Sequence, residues 1–289
     1  MKRNRSARRA RPILGTLFDV RIEDLDASAD PIAPFEAAFS AAAEVHRLMS
    51  AYDPESDVSR INRCECGKPL QVHPWTYRVL QTACAIAGAT GGLFDPCVAP
   101  LLQDAGYLPR FVRSAGCWGD HRDIELLDQC RIRTRRPLQI TLDGIAKGFA
   151  VDRAVAALRD RGIEAGVVNA GGDLRIFGPL SEPVSVRDPE DPVRLAQVGT
   201  LHDGAMATSS VYFSCREVSD SETSHIFHPG RAESFVERAS ASVIARECMI
   251  ADALSKPLVL DEAAARPVLD RFGALGIVLR PCQSRPTSQ

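Results

Sequence analysis

Thr141 to Asp152, TLDGIAKGFAVD, followed further on by Val168-Asn169-Ala170-Gly171-Gly172-Asp173, is the stretch of this chain from which the rest can be arranged. Leu138 to Leu142 alternates apolar and polar residues like a short strand. Asp143 is a candidate N-cap, and Val151, Val155 and Leu158 recur at helical spacing until Gly162 ends the run. The pattern predicts a strand that runs straight into a helix. Amide groups at such a helix start are unpaired and carry partial positive charge, so they can hold phosphate, and Lys147 adds a cation in the same turn. A lysine there opposes the helix dipole unless an anion joins it. A tight turn with a solvated lysine has the same pattern, and the segment alone leaves both readings open.

Outward from this segment, Leu14 to Ile22 reads as a strand and Ile32 to Ser50 as a helix, with Phe35, Ala38, Phe39, Ala42, Val45 and Leu48 on one face. Ser56 to Asn62 reads as a short capped turn and Pro74 to Thr90 as a second amphipathic helix with Gly91-Gly92 at its C-cap. From Val167 the chain is mostly strands and turns, until helices over Ile250 to Leu260 and Asp261 to Phe272 precede a last strand at Ile277 to Leu279. Helices and strands are interspersed without strict alternation, which predicts an α+β fold.

The chain has 289 residues, 45% hydrophobic and 25% charged, enough for one large domain or two intimately packed lobes. Thirty-five basic against 37 acidic side chains leave a formal charge of −2, so overall charge makes no case for nucleic acid or an anionic membrane as partner. Lys2, Arg3, Arg5, Arg8, Arg9 and Arg11 predict a basic disordered arm over residues 1–12, with a single domain over 13–280 and a tail over 281–289. The sequence has no apolar run long enough for a membrane span and no secretory signal, because Arg11-Pro12 leads directly into strand-like residues, so the chain as given is expected in the cytoplasm. Nine scattered cysteines predict reduced thiols, and Cys64-Glu65-Cys66 reads as surface thiols rather than a zinc site. No G-x-G-x-x-G follows a strand, which argues against a nicotinamide dehydrogenase.

Short polar motifs succeed one another along the chain: Leu14-Gly15-Thr16, Met49-Ser50-Ala51-Tyr52, Ser59-Arg60-Ile61-Asn62, Gly92-Leu93-Phe94-Asp95-Pro96 and Asp143-Gly144-Ile145-Ala146-Lys147-Gly148. Asn169-Ala170-Gly171-Gly172-Asp173, Ala207-Thr208-Ser209-Ser210, Ser224-His225-Ile226 and Ala251-Asp252-Ala253-Leu254 follow. In this order and spacing, from about Ile13 to Leu279, they resemble the ApbE-like FAD:protein FMN transferases. The resemblance implies a T-fold-related α+β fold, with mixed sheets, packed helices and a flavin site between two lobes. It also implies an enzyme that cleaves FAD with Mg²⁺ and passes FMN to a threonine hydroxyl of an acceptor protein, releasing AMP. Members of the family are often exported.

Carried onto this sequence, the resemblance makes the carbonyl of Ala146 and the carboxylate of Asp252 the metal ligands, hard oxygen donors that suit Mg²⁺. It places Leu14, Tyr52, Leu93, Phe94, Asp95, Asp143, Phe149 and Ile226 around the flavin nucleotide, with Lys147 and Thr208 also in contact with it. Aromatic and aliphatic walls suit the rings, and carboxylates suit ribose or ring N–H groups. His225 is expected near the reacting phosphate or as proton acceptor, since imidazole titrates near neutral pH, and His225 and Asp252 are the expected catalytic pair. The sequence departs from the family pattern at Lys256, where a threonine is usual four residues after the aspartate. An ammonium cannot coordinate a cation and repels one at a few ångströms. Ser255 could serve as the oxygen ligand instead, or the Lys256 ammonium could take the metal's place. A non-catalytic FAD-binding protein and an FAD diphosphatase are therefore alternatives to the transferase.

Overall fold

Seven strands lie side by side in the order in which the chain makes them: β1 (Arg5–Ile13), β2 (Thr16–Leu25), β3 (Ala165–Ala170), β4 (Asp173–Phe177), β5 (Ala205–Ser210), β6 (Ser240–Ala245) and β7 (Leu275–Leu279). Every neighbouring pair is antiparallel. This is a computed structural model, which describes residues 5–25, 30, 32–109, 119–211, 215–218 and 221–281. Among the described residues seven α-helices are inserted between the strands: α1 (Ala33–Met49), α2 (Asp57–Arg63), α3 (Pro74–Ala89), α4 (Ala99–Asp104), α5 (Ala146–Arg159), α6 (Cys248–Leu260) and α7 (Glu262–Arg271). The expected α+β class is what the residues form, and among the described residues all sheet pairings are antiparallel.

The period of two along each strand decides which layer a side chain joins. Phe18, Val20, Ile22, Phe177, Ala207 and Val243 point to the helical layer of α1, α5 and α6, where all are buried. Ile176 and Met206, one residue out of step, face the other way and are covered by Val184, Val186 and Leu201 of the hairpin Ser181–Arg187/Leu195–His202. Large apolar side chains removed from water in this way contribute roughly 1.5–3 kcal/mol each. The predicted stripe of α1 is buried as expected, with Phe39 edge-on to Phe18 at 6.4 Å. Ser56 begins a helix rather than a single turn, its hydroxyl accepting from the Ser59 amide at 3.0 Å.

The expected disordered arm is corrected from residue 5 onward: Arg5–Ile13 is a full edge strand paired to β2. Three arginines of the expected arm have partners. Arg8 Nε donates to Asp19 at 2.9 Å, Arg11 pairs with Glu36, and the Arg9 and Arg11 guanidinium groups lie 5.8 and 4.7 Å from the Phe35 and Phe39 ring centres. Their stems cover apolar surface of α1 while the charges stay wet. Residues 1–4 of the expected arm and 282–289 of the expected tail lie outside the described residues. Cys64, Cys66, Cys84, Cys97, Cys130, Cys215 and Cys248 are all free thiols, as expected, and Cys117 and Cys282 are not among the described residues. No helix among the described residues is long and apolar enough to cross a membrane.

Candidate active site

The segment before α5 is extended but belongs to no ladder, so the strand expected at Leu138 to Leu142 is corrected. A side chain takes the place of a neighbouring strand: Asn62 Oδ1 accepts from the Ile140 amide at 2.7 Å and Asn62 Nδ2 donates to the Ile140 carbonyl at 2.9 Å. The Thr141 amide donates to the Pro96 carbonyl at 2.8 Å. These bonds satisfy a buried backbone that would otherwise be costly. Asp143 is not the N-cap either. The Leu142 carbonyl accepts from the Ile145 and Ala146 amides at 3.0 and 2.8 Å, a turn is completed first, and α5 starts at Ala146 with Ile145 before it and no side-chain cap.

The free amide of this helix start holds a protein carboxylate. Gly148 N donates to Asp252 Oδ2 at 2.9 Å. Asp152, one turn further along α5, returns the contact: Oδ1 accepts from Cys248 N at 3.0 Å and Oδ2 from Met249 N at 2.9 Å, the first amides of α6. Each helix thus caps the other's N-terminus with an aspartate. Such close approach requires glycine at 148, because a Cβ there would stand 2.3 Å from the Cys248 carbonyl oxygen and 2.8 Å from Asp252 Cβ.

Around Asp252 lies a quartet of charges. Lys256, one helical turn on, donates its ammonium to Asp252 Oδ1 and, at 2.8 Å, to the Asp252 carbonyl. Lys147 Nζ is bonded to Asp173 and lies 3.7 Å from Asp252 Oδ1. Burial would push the Asp252 carboxyl up, but Lys147 and Lys256, with the Gly148 amide, hold it below the ordinary carboxylate value. Burial would lower the Lys147 ammonium, and Asp173 and Asp252 overcome this and hold it well above its ordinary value. The Asp173 carboxyl is raised by burial and by Asp252, against Lys147 and Lys256. The anion that a lysine at this helix start needs is supplied from within the chain.

A cavity of about 390 Å³ opens above the quartet, with Lys147, Asp173 and Lys256 in its floor. Leu93, Phe94, Tyr107, Leu108, Ile226 and Phe227 give it an apolar wall. A smaller one of about 240 Å³, lined by Leu14, His46, Tyr52 and Ala146, shares Asp143 and Lys147 with it. Of the residues expected around a nucleotide, Leu93, Phe94, Asp95, Asp143, Lys147, Thr208 and Ile226 line the larger cavity, and Leu14 and Tyr52 the smaller one. Phe149 lines neither and is corrected to a core residue: it is 1% exposed, with its ring edge-on to Trp75 at 6.1 Å.

Some of these side chains are already committed to the fold. Asp95 accepts from the Cys97 amide at 2.8 Å and, with its other oxygen, binds His121 Nδ1 at 2.7 Å, while Thr208 Oγ1 is 2.7 Å from Ser242 Oγ across the sheet. His225 lies at the cavity with its ring 6.5 Å from Tyr107, and its pKa is pushed down to about 4, first by burial and then by the Lys256 and Lys147 charges. A pKa that low leaves it uncharged at pH 7 but a weak base, so the expectation that it titrates near neutral pH is corrected. Asp173 and Tyr107 line the cavity as well and are not among the residues expected there. Asp173 had a signal in Asn169-Ala170-Gly171-Gly172-Asp173, where Asn169 Oδ1 accepts from Gly172 N at 2.8 Å and Gly171 (φ 65°) passes so close to the Leu14-Gly15-Thr16 turn that a Cβ would be 2.3 Å from Thr16 Oγ1. Tyr107 had none.

The expected Mg²⁺ ligands do not fit a divalent ion. Both Asp252 oxygens are engaged, one by an ammonium, and a second ammonium stands beside it. Ser255, the alternative ligand, is fully buried, donating to the Asp252 carbonyl at 2.7 Å and lying 2.7 Å from Ser209 Oγ. Among the described residues no group of three or more His, Cys, Asp or Glu could hold a metal ion.

A model of the ApbE family matches residues 14–276. An FAD:protein FMN transferase of Vibrio cholerae serotype O1 is 27% identical over 267 residues, spanning 86% of this chain and 79% of that protein. One from Rhodobacter capsulatus is 29% identical over 262 residues, 85% of this chain but 50% of its own length. The crystal structure of the ApbE protein from Thermotoga maritima has a TM-score of 0.81 at 27% identity, covering 95% of this chain and 94% of that one. The flavin transferase ApbE from Vibrio cholerae shares the fold, with a TM-score of 0.80 at 24% identity over 97% of this chain and 95% of its own.

Proposed function

The chain belongs to the ApbE family, and from that membership we propose that it is an FAD:protein FMN transferase that moves FMN from FAD to a threonine hydroxyl of an acceptor protein. The observation that carries this reading is the pair of cavities that meet at Lys147. FAD is two ring systems joined by a diphosphate. One ring system fits the larger cavity against Phe94, Leu108 and Ile226, and the diphosphate lies over the floor where Lys147 and Lys256 stand.

Catalysis then consists of positioning and charge. The acceptor hydroxyl attacks the phosphorus on the FMN side, the P–O bond to AMP breaks, and AMP leaves with the electron pair. Lys147 and Lys256 face the charge that develops on the phosphoryl oxygens, held in place by Asp173 and Asp252. His225, a weak base at the cavity wall, takes the hydroxyl proton late in the attack, when bond formation to phosphorus has made that oxygen acidic. No step is assigned to Mg²⁺, because the residues at its expected place do not fit it.

The test is to incubate the purified protein with FAD and acceptor proteins that carry a threonine flavinylation motif. The expected outcome is a fluorescent acceptor band on a denaturing gel, with AMP released in equal amount. FAD cleaved to free FMN, or left intact beside several acceptors, would overturn the reading.

A further inference from the structure

We propose that Lys256 supplies, from the protein itself, the positive charge that a divalent cation would otherwise bring to the FAD diphosphate, so that FAD binds this site without metal. The inference rests on the FAD reading of the cavity and goes further in assigning the charge that holds the ligand.

Three features of Lys256 support it. The first is position. Lys256 follows Asp252 by one turn of α6, and its Nζ reaches both the Oδ1 and the carbonyl oxygen of that residue. A cation at Asp252 would need the lone pairs that this ammonium already uses, and Gly148 N holds the remaining carboxylate oxygen at 2.9 Å. The second is fixity. The lysine stem lies along the cavity wall against Gly144, where a Cβ would be 3.6 Å from Lys256 Cε and 3.3 Å from the Phe94 ring, and the side chain is 19% exposed. The ammonium is therefore held at the floor rather than swinging in solvent.

The third is charge. Lys147 and Lys256 balance Asp173 and Asp252, so the buried quartet is formally neutral. With a neutral residue at 256 the same group would carry one uncompensated buried negative charge, which a divalent cation relieves. With lysine there is no such deficit, and a divalent cation would have to settle against two ammonium groups. A diphosphate needs cations opposite it, and here two are already built in.

The experiment measures FAD binding rather than turnover. FAD is titrated into the purified full chain, followed by quenching of flavin fluorescence, once with excess EDTA and once with excess Mg²⁺. For the unaltered protein the two dissociation constants are expected to agree within about twofold. For Lys256→Thr, binding in EDTA should be weaker by about tenfold or more, the loss of one charge-assisted contact, and Mg²⁺ should restore most of it. Calorimetric titration with Mg²⁺ alone should give saturable heat for Lys256→Thr and none for the unaltered chain. An FAD affinity of the unaltered protein that rises about tenfold with Mg²⁺ would overturn the proposal and leave the FAD:protein FMN transferase reading standing. Failure of FAD to bind under either condition would remove that reading as well. The comparison of EDTA with Mg²⁺ on the unaltered chain decides the matter even if the variant does not fold.

Discussion

Asp152 and Asp252 clamp the same two helices from opposite sides, and the contrast between them separates structure from chemistry at this site. Asp152, on α5, gives both oxygens to the first amides of α6 and pairs with Arg175 at 2.5 Å. All its partners belong to the framework. Asp252, on α6, gives one oxygen to the Gly148 amide and the other to an ammonium in the cavity floor. The geometry is nearly reciprocal, yet only one of the two can influence a ligand. What differs is the second partner: a guanidinium walled in by the sheet for one, and an ammonium held at the edge of open space for the other.

The largest effect should come from the residue that lets both clamps close. Gly148→Ala places a methyl group 2.3 Å from the Cys248 carbonyl oxygen, so the helices must move apart, and urea unfolding should show a loss of about 4 kcal/mol. A loss under about 1 kcal/mol would mean that the helix contact is softer than it looks. Asp152→Asn should cost about 3 kcal/mol, since it leaves Arg175, with its side chain 15% exposed, short of its counter-charge. FAD affinity of the folded protein should stay within about twofold, and a larger change would break the distinction between the clamps.

Asp252→Asn should show the reverse pattern. The freed ammonium groups can turn to cavity water, so stability falls by only about 1–2 kcal/mol, while flavin transfer drops at least about tenfold because Lys256 loses its fixed position. Equal transfer rates in the two aspartate variants would contradict the assignment.

The smallest effect is a pH dependence reported by His225. Its folded pKa of about 4 lies below the unfolded value of about 6.5, so between these values the unfolded chain binds more protons. Stability is therefore complete above about pH 6.5 and declines as pH falls toward 4. His225→Gln should reduce the drop in urea midpoint between about pH 7 and pH 5, and an unchanged drop would show that His225 is not held neutral.

Much of this architecture is legible from local pattern. The stripes of α1 and α3 and the two C-terminal helices follow from periodicity and turn residues within a few positions of their ends. Errors gather where a long-range partner replaces a local one. Leu138 to Leu142 has the alternation of a strand, but the side chain of Asn62 takes the bonds that a neighbouring strand would have made. Asp143 has the chemistry of an N-cap, but a turn closed by the Leu142 carbonyl delays the helix. Arg5 to Arg11 has the composition of a loose arm. β2 on one side and the aromatic rings of α1 beneath give it a reason to be a strand.

The site divides in the same way. The short motifs carry Leu93, Phe94, Asp143, Lys147, Thr208, His225 and Ile226, which the fold brings to one cavity. Phe149 lies in the core instead, because a helix position fixes spacing but not which face meets the core. Asp173 joins them only because α5 approaches the start of β4, which makes it the partner of Lys147.

By itself the sequence determined the α+β character, the family and the presence of a lysine where the family's pattern has a threonine, since these depend on residue identity and order. Whether that lysine points to solvent, to a phosphate or to Asp252 depends on the reciprocal capping of α5 and α6. Two helix starts far apart in the chain meet there, and each satisfies the other's unpaired amides. Only the tertiary structure sets that distance, because a charge acts through what stands within a few ångströms of it, and spacing along the chain does not fix that.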